Sequence, residues 1–554
     1  MITNYEEMNM TNQLLKILLL ITLIKPYVSF GGDGDRKNKK TNLLFIITDQ
    51  QRFDAIGKAK VFPFLKTPTL DKLANEGAYF TNAYTPCAVC APARTSILTG
   101  QTVENHGVRK NEYAYNNPNE GAYCEVPSFD QILVQNGYYS EYLGKYHSPI
   151  HLSEGYSEFS YTKNKGNVYM TKNKRVYQEM MKDYKNSKGQ KTTDYDLVDK
   201  YFKNFYTPDP IDMRYKKGED YRRSHFSNEQ RKLKLTQPDG HGLLHLPKDL
   251  SISSYQTSTL QAALKRASKQ EKPFSLTLAY FYVHAPMLPT EPWYSMYNPA
   301  DMPTPASIHD EMNNVPYKNA NNRKSMPEYS DPEMVKYMAS NYFGLVSEID
   351  YYLEKIMRDL KKYGMDKNTL VIFTSDHGEM LGAHGMREKN VFYEESARVP
   401  LIFWYPGKIQ PTQIESPVST LDLYATILDY LEVEGDQRNS TSLKPLVEGN
   451  ASRKYVVQEW DYHGPKQPNY MVVSDDGWKL ITTYAKGKPG FDVLFNLKED
   501  PHEMNNLIGE NPEAMKYKNK VEELKGYLVE WLTKNNSKRT EIIKERNILP
   551  EVKL

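Results

Sequence analysis

Cys90 is followed by Pro92 and Arg94 and then by Leu98, Thr99 and Gly100. A thiol becomes a nucleophile once activated, and a guanidinium four residues on stays charged and forks onto oxyanions. Cys87 forms a Cys-x-x-Cys pair with Cys90, a spacing that fits a redox pair, half a zinc site or a disulfide. The remaining cysteine, Cys124, cannot complete a zinc site. Two acidic turns, Asp49-Gln50 and Asp376-His377, offer carboxylates that hold a cation or cap a helix. Lys145 and His147, two apart, fall on one side of an extended chain. His284 precedes Ala285-Pro286, Lys389 precedes Tyr393-Glu394, and Asn111 follows His106-Gly107-Val108. Together these groups supply a nucleophile, cations that offset negative charge, and carriers of a proton. An isolated His is more often structural, so the fold must gather them before they do chemistry.

The elements around them suit that task. Leu43 to Ile47 runs into Asp49-Gln50, Tyr138 to Leu143 into Lys145 and His147, Phe274 to Val283 into His284, and Thr369 to Phe373 into Asp376-His377. Each is an apolar, β-rich run ending in polar residues. Helical spacing of apolar residues marks Thr67 to Gly77 and Asp331 to Gly364 between them. This is an α/β pattern, and ligands of open α/β sheets bind at the carboxyl ends of the strands. Beyond the loop Val433 to Arg453, short strands are expected at Tyr455–Val457, Met471–Ser474, Lys479–Thr483 and Val493–Asn496, followed by a helix over Glu513–Lys534. That order reads as an α+β appendage.

At 554 residues the chain exceeds one ordinary core, so a large domain with a smaller one attached is expected. A formal charge of +2 gives no global footprint for nucleic acid, and no apolar run is long enough to span a membrane. The apolar run Ile17 to Ile24, after Lys16 and before Ser29 and Gly31, resembles a secretory signal peptide over residues 1–31. A polar linker over 32–40 follows it, and the start is Met1, Met8 or Met10. The expected location is exported, periplasmic or secreted. Residues 161–223 carry 16 Lys or Arg against 9 Asp or Glu, and nine Tyr. Such an insertion suits an anionic sugar polymer, with a solvated surface as the plain alternative.

Cys90-Ala91-Pro92-Ala93-Arg94, with its Leu98-Thr99-Gly100 tail, resembles the signature of the type I, formylglycine-dependent sulfatases of the alkaline-phosphatase-like superfamily. Gly144-Lys145-Tyr146-His147 is similar to that family's G-K-W-H motif, and His284-Ala285-Pro286 to its P-H-x-P motif. Ser375-Asp376-His377-Gly378 resembles the second metal turn, and Asp500-Pro501-His502-Glu503 with Asn506-Leu507 echoes the C-terminal subdomain. The resemblance implies a catalytic domain over 41–435, with a central mixed, mostly parallel sheet flanked by helices. A smaller α+β subdomain over 454–540, with an antiparallel sheet and a helix, would follow it.

The resemblance also implies roles. Cys90, oxidised to formylglycine by a maturation enzyme, supplies the attacking oxygen. Asp49, Gln50, Asp376, His377 and the modified Cys90 hold Ca2+, or Mn2+, because Gln50 and His377 stand where many members have Asp and Asn. Arg94 clamps the nucleophile or the sulfate, Lys145 stabilises the hydrate, and His147 is the base that releases sulfate. His284 and Lys389 bind sulfate and protonate the alcohol, and Asn111 touches sulfate. The expected substrate is a sulfated carbohydrate. A phosphonate monoester or phosphodiester hydrolase and a catalytically silent glycan-binding relative are the alternatives; the first is disfavoured by Lys145 and His147, which such hydrolases replace.

Overall fold

The computed structural model describes residues 40–111, 124–150, 206–208, 241–244, 247–318, 320, 323, 327–460, 468–485 and 492–549. The expected signal peptide over 1–31 lies outside them, as do the linker except Lys40 and the basic insertion over 161–223 except 206–208. The described residues from Thr41 onward form one compact unit.

Its centre is a seven-stranded sheet. The order is Thr412–Ile414, Ala78–Phe80, Leu401–Trp404, Thr369–Ser375, Asn42–Thr48, Phe274–Ala279 and Tyr139–Gly144. The last four strands are mutually parallel, and Leu401–Trp404 runs antiparallel to both its neighbours. Parallel strands covered on both faces need apolar residues at successive positions, and alternation then assigns each side chain to a layer. Leu44 and Ile46 join Val371, Phe373, Leu276 and Leu278 in a core closed by helices Pro68–Glu76, Ile252–Ala267 and Pro332–Lys362. Leu43, Phe45 and Ile47 join Leu370 and Ile372 in the opposite layer, under helices Cys90–Thr99, Phe129–Gln135 and Leu423–Tyr430. Fully burying one such side chain contributes roughly 1.5–3 kcal/mol.

The four parallel strands therefore deliver Asp376, Asp49, His284 and Lys145 to the carboxyl-end side of the sheet. The expected strand Phe274 to Val283 ends early, at Ala279. Tyr280 and Val283 leave the sheet and donate instead to the carbonyls of Ile47 and Asp49 (2.8 and 2.9 Å), which keeps His284 beside the first acidic turn.

A separate antiparallel sheet runs Tyr455–Glu459, Tyr470–Ser474, Trp478–Thr482 and Val493–Asn496. Val457, Val472, Leu480 and Leu494 face helix Lys518–Lys534 through Val521, Leu524, Leu528 and Leu532. Val456, Met471, Val473, Ile481 and Phe495 face the other way, against Met380, Met386, Phe392 and Tyr393 of the large domain. Among the described residues no helix is long and apolar enough to cross a membrane.

Candidate active site

Cys90 is the first residue of helix Cys90–Thr99, every residue of which is buried. A helix N-terminus favours negative charge, and Asn111 Oδ1 accepts from Ala91 N (3.0 Å), completing that first turn. Gly100 ends the helix at φ 67, where an added Cβ would come within 2.5 Å of Tyr424 Cδ1. Cys87, Cys90 and Cys124 are all buried, and none of them is in a disulfide. His106 belongs to the scaffold: Nδ1 accepts from Val108 N (3.0 Å), which leaves its Nε2–H for Ser96 Oγ (2.9 Å). Burial, aided by the Arg109 charge, lowers its pKa to about 3.

Asp49, Cys90, Asp376 and His377 meet with one ligand atom from each within 4.8 Å of the others, all buried. Cys90 Sγ lies 3.0 Å from His377 Nε2 and 3.9 Å from Asp49 Oδ1. Arg94 Nε donates to Asp376 Oδ2 (2.7 Å) and Nη1 to the Lys145 carbonyl (2.7 Å). Its Nη2 has no hydrogen-bond partner among the described residues and lies 3.9 Å from Asp49 Oδ2. Lys145 Nζ pairs with the same oxygen of Asp49. Burial opposes charge on Asp49, yet Lys145 first, then His284, Arg94 and His377, hold its carboxyl well below the usual range. Burial likewise resists a thiolate at Cys90, and Lys145, Lys389 and His377 overcome it and lower the thiol pKa.

The donor set fits a divalent cation. Gly378 O can only accept, so at 2.9 Å it fixes the proton of His377 on Nδ1 and leaves Nε2 facing the two carboxylates, 3.7 Å from Asp376 Oδ1 and 3.8 Å from Asp49 Oδ1. Burial works against an imidazolium, but Asp376 and Cys90 raise the His377 pKa, the same negative field that would draw a cation. Gln50 adjoins the same group, its N donating to Asp376 Oδ1 (3.1 Å). Its Nε2 donates to Glu379 Oε2 and its Oε1 accepts from Lys389 Nζ (2.7 Å).

Lys389 Nζ also donates to His284 Nε2 (3.0 Å), and His284 Nδ1 donates to Ala285 O (2.7 Å). His284 is thus a neutral ring, its pKa held well down by burial and then by the Lys389 charge. Lys145 and His147 reach the cluster in a different manner from the expected alternation. The strand stops at Gly144, whose φ of 92 and closeness to Ala279 O, 2.0 Å from an added Cβ, admit only glycine. His147 sits at φ 47, so a turn and not an extended chain presents it. Burial, then the charges of Lys145 and Arg94, push its pKa well down.

Glu379 escaped the sequence reading. It is fully buried and accepts from Gln50 Nε2, Leu381 N (3.1 Å) and Glu388 N (2.5 Å). Its place two residues after His377 was the available signal. Every other expected site residue stands in or beside the cluster, Asn111 through the backbone of Ala91.

Residues 41–433 match the family model described as Sulfatase, and residues 382–533 match N-sulphoglucosamine sulphohydrolase, C-terminal. An arylsulfatase of Clostridium perfringens is 27% identical over 89% of this chain and 94% of its own length. An N-acetylglucosamine-6-O-sulfatase of Bacteroides thetaiotaomicron is 26% identical over 90% of this chain and 88% of its own. The solved phosphonate monoester hydrolase of Silicibacter pomeroyi superposes with a TM-score of 0.68 at 22% identity, over 90% of this chain and 96% of that one, a likeness of fold.

Proposed function

The chain belongs to the sulfatase family and is a sulfuric ester hydrolase; from that premise we propose that it is exported and removes sulfate from a sulfated polysaccharide or its oligosaccharides. The observation that carries the reading is the environment of Cys90, a buried thiol at a helix N-terminus among Asp49, Asp376 and His377, with an unfilled donor of Arg94 3.9 Å from Asp49. We assign Cys90 to conversion by a formylglycine-generating maturation enzyme, which would supply a geminal hydroxyl as nucleophile. Asp49, Asp376 and His377, with the modified residue 90, would hold a divalent cation that offsets charge on sulfate and lowers the pKa of that hydroxyl. Oxygen donors favour calcium, and the imidazole admits manganese. Gln50, expected among the ligands, is assigned to holding Lys389 because both ends of its amide are engaged.

The chain's own groups divide the remaining work. Arg94 presents Nη2 to an anion, and Lys145 compensates Asp49 and the charge that develops at residue 90. His147, kept neutral by burial, is fit to accept a proton as sulfate is released. Lys389 donates to His284 Nε2, so the Lys389 ammonium is assigned to hold sulfate and to send a proton through that nitrogen to a departing alcohol. Asn111, tied to the first turn of the nucleophile helix, lies where a sulfate contact is proposed. The relative named as an N-acetylglucosamine-6-O-sulfatase supports a sugar sulfate as substrate.

The phosphonate monoester hydrolase reading draws on a likeness of fold, whereas Lys145 and His147 both stand at this cluster and support sulfate. Enzyme produced with a maturation system and supplied with calcium or manganese should release sulfate from at least one member of a panel of sulfated glycans. A higher kcat/KM on aryl phosphonates or phosphodiesters than on every sulfate ester would overturn the assignment.

A further inference from the structure

Lys389 stands on strained backbone. Glu388 and Asn390 on either side have φ of 70 and 77, a region unfavourable to residues with a side chain that persists only where neighbours hold it. On the near side the hold is the Glu379 carboxylate on Glu388 N. On the far side it comes from the C-terminal sheet. Lys479, fully buried on strand Trp478–Thr482, donates to Phe392 O (2.8 Å) and pairs with Glu394 (2.8 Å) and Glu503 (2.6 Å). Glu503, itself at φ 54, turns its second oxygen to Glu394 N (2.7 Å). Tyr84 and Arg398 occupy the other oxygen of Glu394 (3.0 and 3.3 Å), so both oxygens of each carboxylate have partners within the group.

We propose that Lys479 and Glu503 are positioning residues of the active site: from the C-terminal sheet they fix segment 389–394 and so aim Lys389 at His284 and Gln50. With two N–H groups of Lys479 on carboxylates, the third goes to the main-chain carbonyl of Phe392, three residues from Lys389, and ties the ion group to that segment. The inference rests on the reading of Lys389 given above, that it serves the departing alcohol.

The test compares Lys479→Met/Glu503→Gln, which removes one charge of each sign so that no carboxylate is stranded, with Lys389→Met and the triple variant. Each is assayed on a nitrophenyl sulfate and on a sugar sulfate, with the folded fraction measured by thermal unfolding. The double variant is expected to lose about tenfold or more in kcat/KM on the sugar sulfate and less than about threefold on the nitrophenyl ester, because a lost proton donor matters least for a good leaving group. In the Lys389→Met background the same pair of changes should cost less than about twofold, since their effect passes through Lys389. Losses that follow the folded fraction equally on both substrates, or that persist undiminished without Lys389, would overturn the proposal. If Lys389→Met itself shows no dependence on leaving group, the reading of Lys389 fails, and the coupling between the two sites still decides the positioning role.

Discussion

Two buried arginines set the two halves of the molecule apart. Arg546, near the C-terminus, spends every nitrogen: Nε on Thr482 Oγ1 (3.4 Å), Nη1 on Ala485 O and Nη2 on Asp492 Oδ2 (2.6 Å). Arg94, in the large domain, is as deeply buried but leaves Nη2 without a hydrogen bond among the described residues, 3.9 Å from Asp49 Oδ2. A buried donor without an acceptor costs about 1–3 kcal/mol, and such a cost is tolerated where a guest completes the bond. The first cluster has its donors satisfied; the second keeps one open, and on the proposed function that one receives the sulfate.

Removing the nucleophile should test the open cluster most severely. Cys90→Ala is expected to lower turnover by about a thousandfold or more, with thermal unfolding within a few degrees of the parent, since residue 90 fills little core volume. Sulfate release and a melting curve on the same preparation check both halves of that statement. Next comes the pair of arginines. Arg94→Lys keeps the charge but loses the fork and should cost about a hundredfold or more in kcat/KM with little loss of stability. Arg546→Met should do the reverse, breaking a buried pair at about 3–5 kcal/mol while folded enzyme turns over at the parental rate. Equal behaviour of the two variants would erase the distinction.

The open cluster can also be divided internally. His147→Ala is expected to slow sulfate release by about a hundredfold, visible as a burst of alcohol ahead of sulfate. His284→Ala should produce no burst and should lose most on poor leaving groups. Identical kinetics for the two would show that they share one task.

Strand residues in contact with Asp130 supply the mildest test, one of stability. Its Oδ1 accepts from Ser275 and Ser140 (3.1 and 3.4 Å), near the starts of their strands and away from the catalytic edge. Burial pushes its pKa up to about 7. The folded protein keeps this proton up to that pH, whereas the unfolded chain releases it near about 4, so stability falls as pH rises through that window. Asp130→Asn should flatten part of the slope in urea midpoints between those values; Glu348, which burial also pushes up to about 7, Asp350 and Asp492, pushed up to about 6, and Glu503, to about 8, contribute to the remainder.

The parallel strands were readable because burial on both faces demands unbroken apolar runs, and each run ended at a group with chemistry. Ala78–Phe80, Leu401–Trp404 and Thr412–Ile414 were not, being three or four residues long with nothing at their ends to draw notice. Asp49, Cys90, Asp376 and His377 were legible as types and met as expected. The route of His147 was hidden, since a left-handed residue after Gly144 leaves no pattern. Lys479 reads in the sequence as the polar face of an alternating strand, and its partners Phe392 and Glu503 lie 87 and 24 residues away. Long-range pairing of buried charge carries no local signal, which is also why Glu379 behind Gln50 went unnoticed.

The central claim is that residue 90 acts as formylglycine. Peptide mass analysis of the segment around Ala88 to Arg94, across preparations made with and without a maturation system, tests it most directly. The aldehyde or its hydrate should be present in active preparations, and sulfatase turnover should rise in proportion to the converted fraction. Full turnover from protein that carries only the unmodified Cys90 thiol would contradict it.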